Sequence, residues 1–145
     1  MSGNSAKALL IVLTQEEARI WHEPLDKGKT PEIIQTLFDK TSMAHQRMTE
    51  HQSGHSEDPV TWGYFDVIAK KLNSERPILL MGHGHGSSNV AQRFEKFVGE
   101  NFKEVANNIV GNLDVNLNAI SENEMLATAR EWFDNYQRTG LKLSK

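Results

Sequence analysis

At 145 residues, with 38% hydrophobic and 24% charged side chains, the chain has the length and balance of one folded domain, which excludes a disordered segment. A formal charge of −3 and a pI near 6.1 exclude a protein held to nucleic acid chiefly by counterion release, although a local basic strip stays open. There is no cysteine, which excludes disulfides, thiolate nucleophiles and cysteine-ligated zinc and suits a reducing, cytoplasmic setting.

Residues 1–7 are small and polar and are expected to fray. Ala8-Leu9-Leu10-Ile11-Val12-Leu13 is too short for a signal core or a membrane span, so no membrane partner is expected. As an unbroken apolar run it predicts a strand buried on both faces. Thr14-Gln15-Glu16 predicts a tight turn, and the alternation in Glu17-Ala18-Arg19-Ile20-Trp21-His22 predicts an antiparallel partner. After Gly28 and Pro31, the β-branched residues of segment 32–38 predict a third strand at the sheet edge. Residues 39–57 have no period and predict a long polar loop, of the kind that is usually functional or disordered.

Asp58-Pro59 supplies an N-cap followed by proline at the first helical position. Trp62, Phe65, Ile68, Ala69 and Leu72 continue it as an amphipathic helix ending near Asn73. Pro77-Ile78-Leu79-Leu80-Met81 is a second buried run, and it enters the turn Gly82-His83-Gly84-His85-Gly86-Ser87-Ser88-Asn89. Val90, Phe94, Phe97 and Val98 mark the next helix face. Gly99 is expected to break it, with Phe102, Val105, Ala106 and Ile109 resuming the spacing. Residues 109–115 predict the last strand. Ser121 with Glu124 forms a capping box, opening a helix with Met125, Leu126, Ala129, Trp132 and Phe133 on its apolar face; the tail 137–145 is polar and expected to fray.

No internal repeat interrupts this order, so residues 1–145 are expected to form a single α/β domain. Three meandering antiparallel strands followed by two crossovers give a mixed five-stranded sheet with helices on its faces, the ribonuclease-H-like arrangement.

The glycine turn is the first candidate site. Gly82, Gly84 and Gly86 permit a tight turn and close approach of a ligand, Ser87 or Ser88 is expected to cap the following helix, and that helix start favours anions. With the first and fourth strands side by side, Thr14 is expected beside His83, His85 and Asn89. The pattern is neither a P-loop nor a dinucleotide fingerprint, since no lysine follows the last glycine and no strand-borne acid takes the ribose. Two readings stay open: a purely structural turn, or a site for a phosphate or nucleotide ligand, acting as a small binding protein or enzyme. His83 and His85 alternate, are expected to be partly exposed, and suit acid, base or metal chemistry. No Ser–His–Asp set can be assembled and Ser87 is not in a Gly-x-Ser-x-Gly elbow, so no catalytic residue is assigned.

The second candidate is the polar loop, where His45, His51 and His55 lie near Glu50 and Glu57. They are candidate zinc ligands, though the helical His-Glu-x-x-His spacing is absent. A two-metal nuclease is not expected. Its chemistry needs a carboxylate on the first strand, the first acid after that strand is Glu16, and Asp66 and Asp114 do not complete a set.

Four stretches together carry a resemblance: Glu17-Ala18-Arg19-Ile20, Tyr64-Phe65-Asp66-Val67-Ile68-Ala69, Ile78-Leu79-Leu80-Met81-Gly82-His83-Gly84, and Leu126-Ala127-Thr128-Ala129-Arg130-Glu131-Trp132-Phe133. Across residues 8–133 the chain resembles short bacterial relatives of the middle domain of the archaeal and eukaryotic class-1 peptide release factors and Pelota. The resemblance implies the same ribonuclease-H-like fold, shared with some ribosomal proteins, and a link to ribosomes. In release factors the loop after the third strand carries Gly-Gly-Gln. Here the corresponding loop offers His51-Gln52-Ser53-Gly54-His55, without the backbone freedom of paired glycines, so no peptidyl-tRNA hydrolysis is expected. The length also leads to an expectation of a lone domain rather than a complete factor.

The partner expected on these grounds is the ribosome or RNA, with Arg130, Arg138, Lys142 and Lys145 as the basic candidates. A homo-oligomer formed through the sheet edge is the remaining alternative.

Overall fold

The two apolar runs become the centre of the sheet. In the structure, a computed structural model that describes residues 8–22, 25–35, 59–72, 77–84 and 89–139, β1 (Leu9–Leu13) and β4 (Ile78–Gly82) lie side by side and parallel. Leu9 stands opposite Ile78 and Val12 opposite Met81, and every residue of both strands is buried. Strands covered on both faces have no solvent side, which is why they read as unbroken apolar runs. β2 (Glu17–His22) pairs antiparallel with β1, and β3 (Glu32–Gln35) pairs antiparallel with β2. β5 (Ile109–Asp114) joins β4 in parallel after a register shift at Ile78/Leu79. The order β3-β2-β1-β4-β5 is a mixed five-stranded α/β sheet, as expected.

Two cores follow from the side-chain alternation. On one face Leu9, Ile11, Leu13, Ile78 and Leu80 meet α1 (Pro59–Lys71), α2 (Val90–Asn101) and α3 (Lys103–Asn108) through Phe65, Ile68, Phe94, Phe97 and Val105. On the other, Leu10, Val12, Trp21, Leu79 and Met81 meet α4 (Glu122–Thr139) through Met125, Leu126, Ala129, Trp132 and Phe133. The capping box forms as the spacing predicts: Ser121 N–H donates to Glu124 Oε1 at 2.8 Å, and Glu124 N–H donates to Ser121 Oγ at 3.1 Å.

Some boundaries differ from expectation. The helix after the glycine turn runs through Gly99 and breaks at Phe102, with φ −142° and ψ 73°. A glycine in an exposed helical position costs only about 1 kcal/mol against alanine, and burial of Phe94, Phe97 and Val98 outweighs that. The break falls instead where the Phe102 ring turns in against Phe97, 5.8 Å between centroids. α4 continues to Thr139, beyond Tyr136, where a frayed tail was expected. β3 is described only to Gln35, and the rest of segment 32–38, with the loop 39–57, Asp58 and the ends 1–7 and 140–145, lies outside the described residues. Among the described residues no helix is long and apolar enough to cross a membrane.

Candidate functional site

Because β1 and β4 are adjacent and parallel, the turns that follow them open at the same end of the sheet. Thr14 organises the first. Its hydroxyl accepts from the amides of Glu16 and Glu17, each at 3.1 Å, and donates to the Glu17 carbonyl at 3.1 Å. Local hydroxyl-to-backbone bonds of this kind favour turns over continued strand. Tyr64, buried on α1, donates its hydroxyl to the Thr14 carbonyl at 3.0 Å. Burial holds this phenol well above the usual tyrosine range, and the nearby Glu17 and Glu16 charges add to the effect.

Gly82, His83, Gly84 and Asn89 belong to the described part of the second turn, whereas His85, Gly86, Ser87 and Ser88 lie outside it. Gly82 is required sterically: a Cβ there would sit 2.2 Å from Asn89 Oδ1 and 2.7 Å from the Ala91 Cβ. Gly84 has φ +111°, a conformation that L side chains rarely adopt.

The helix cap is a correction. Asn89, rather than Ser87 or Ser88, is the N-cap of α2: it is extended, and its Oδ1 accepts from Gln92 N–H at 3.1 Å. Its Nδ2 also donates to the Gly84 carbonyl at 3.1 Å. A serine hydroxyl is too short to span helix and turn together; the two-ended amide does both.

The exit of β4 is also fastened to the exit of β5. Val115 N–H donates to the Gly82 carbonyl at 2.8 Å, Gly84 N–H donates to the Asp114 carboxylate at 3.1 Å, and Leu117 N–H donates to His83 Nδ1 at 3.2 Å. His83 is exposed but bonded, which makes its neutral form the Nε2–H tautomer. The Asp114 carboxylate therefore engages the Gly84 amide and brings a negative charge to the described part of the turn. Asp66, the other acid weighed for metal chemistry, pairs with Lys70 at 3.0 Å on α1.

Among the described residues no group of three or more His, Asp or Glu could hold a metal ion. The candidate zinc ligands His45, His51 and His55 lie outside those residues. Of the basic candidates, Arg130 reaches back to the Leu25 carbonyl at 2.6 Å and Arg138 bonds Asn135, while Lys142 and Lys145 lie outside the described residues. Arg130 thus fastens the β2–β3 connection to α4, helped by Gly28 N–H donating to Asn123 Oδ1 at 2.8 Å.

Three contributors escaped sequence reasoning: Tyr64, Asp114 as a turn acceptor, and Asn112. Asn112 is 4% exposed and donates to Glu95 Oε1 at 2.8 Å and to the Ala91 carbonyl at 3.3 Å. The one available signal was an amide inside the otherwise apolar stretch Ile109-Val110-Gly111-Asn112-Leu113.

No protein-family profile matches the chain, and no curated protein does. Among solved structures it is similar to Pelota from Archaeoglobus fulgidus, with a TM-score of 0.46 and 14% identity. The match covers 93% of this chain and 39% of that one. At that level the likeness carries no argument.

Proposed function

We propose that the chain is a non-catalytic binding module of the translation apparatus, resembling a release-factor middle domain that lacks Gly-Gly-Gln, with the ribosome or its RNA as partner. The translational half of this reading rests on the sequence stretches around Glu17, Tyr64, Gly82 and Leu126. The non-catalytic half rests on one geometric observation: three described polar groups of the glycine turn are engaged within the protein, Gly84 N–H by Asp114, the Gly84 carbonyl by Asn89 and His83 Nδ1 by Leu117. A turn bonded in this way supports a structural part, holding β4, β5 and α2 together, over a phosphate site.

Gradient sedimentation of lysate tests the proposal. The protein is expected to co-migrate with ribosomal particles in growth or in starvation, and to leave them at high salt if it is held by phosphate contacts. Protein confined to the top of the gradient under both conditions overturns it.

A further inference from the structure

The β4 exit and the β5–α4 connection are joined by contacts that do not respond alike to acid. The Val115-to-Gly82 bond is between backbone groups and has no titrating member. The Leu117-to-His83 bond needs an unprotonated Nδ1, because an imidazolium has two donors and no acceptor. We propose that His83 is a pH-sensitive latch, which holds the 115–118 connection against the glycine turn when neutral and releases it when protonated.

Titratable groups near the latch are few among the described residues. From β5, Asp114 presents its carboxylate to Gly84, the neighbour of His83. The connection itself brings Val115, Asn116, Leu117 and Asn118, none of which titrates. The β1–β2 turn carries Glu16 and Glu17, the latter paired with Arg19 at 2.8 Å. At the start of α4, Glu122 pairs with Arg19 at 3.1 Å and Glu124 is held by the Ser121 amide at 2.8 Å. Of these carboxylates, that of Asp114 is bonded within the glycine turn itself. Protonation of His83 removes the acceptor that the Leu117 amide uses. The latch is closed while Nδ1 is unprotonated and opens when the ring takes up its second proton.

What opens is local. Asn116 Oδ1 holds Asn118 N–H at 3.1 Å, and the Asn116 carbonyl holds Ala119 N–H at 2.9 Å. The connection thus keeps its own turn while its tie to β4 loosens, altering the surface around the glycine turn without unfolding the sheet.

Amide NMR of the intact chain between pH 5 and 8 tests this. The Leu117 amide shift is expected to move with the same midpoint as the His83 ring nitrogens. Its exchange protection, corrected for intrinsic rate, is expected to fall roughly two- to tenfold, the range for loss of one ordinary hydrogen bond. His83→Gln offers an acceptor that does not titrate, and is expected to abolish the pH response of Leu117. A Leu117 resonance that stays put while His83 titrates overturns the latch, as does an unchanged response in His83→Gln.

Discussion

The Tyr64 hydroxyl donates to the Thr14 carbonyl at 3.0 Å, so that a helix packed on one face of the sheet reaches over the end of its central strand. The bond joins α1 to the turn that opens beside Gly82, across 50 residues of sequence. It is the clearest link between the core and the candidate site.

Removing that hydroxyl leaves the Thr14 carbonyl without its α1 donor. Tyr64→Phe is expected to lower stability by about 1 kcal/mol, read from urea denaturation. The pH dependence follows from the raised phenol, whose unfolded value is 10.0. Below that pH the folded and unfolded forms are both protonated and the contribution is fully present. Above it the unfolded chain loses the proton first, so stability falls as pH rises. In the wild type no tyrosinate absorbance from Tyr64 is expected until the protein unfolds, and Tyr64→Phe should remove part of the alkaline loss.

Glycines separate cleanly by what surrounds them. Gly82→Ala drives a methyl into Asn89 Oδ1 at 2.2 Å and is expected to cost about 1–3 kcal/mol by overpacking, with α2 displaced. Gly63 lies within α1 with nothing inside 4 Å of a new Cβ, so Gly63→Ala should stabilise by about 0.5–1 kcal/mol. Thermal denaturation of the pair, with opposite signs of change in Tm, checks both.

The Asn89 cap has two functions that substitution can divide. Asn89→Ala loses both bonds and is expected to destabilise by about 1–2 kcal/mol. Asn89→Ser keeps a hydroxyl for Gln92 but cannot span to the Gly84 carbonyl, so it should recover only part of the loss. Amide exchange at Gln92 in the two variants reads the cap directly.

Glu32 joins the edge strand to α1. Its carboxyl is held below 4.5 chiefly by the hydrogen bond from Lys71, with burial opposing and His22 assisting. The stabilisation is present above the unfolded value and is lost as pH falls through the lowered folded one. With the Glu32 side chain 41% exposed, solvent screens the pair and the effect should stay within about 0.5 kcal/mol. Lys71→Met should move the Glu32 carboxyl titration, followed by NMR, back up toward 4.5.

The strands were legible because burial on both faces leaves a mark that needs no context: Leu9 to Leu13 and Ile78 to Met81 contain no polar residue. The capping box was legible for a similar reason, since its donors and acceptors lie within one turn of chain. The cap at Asn89 was not. Ser87, Ser88 and Asn89 are all good N-cap residues, and the choice among them depended on a carbonyl at Gly84 that an amide can reach.

The candidate site shows the same division more sharply. The sequence by itself determined that a glycine turn follows a buried strand and that a histidine stands in it, since both depend only on neighbouring residues. The tertiary structure alone decided what those groups touch. Asp114 lies 30 residues from Gly84 and Leu117 lies 34 from His83, and only the parallel pairing of β4 with β5 brings their ends together. Hydrogen bonds act over about 3 Å, so the partners of a turn cannot be read until the chain has returned to it.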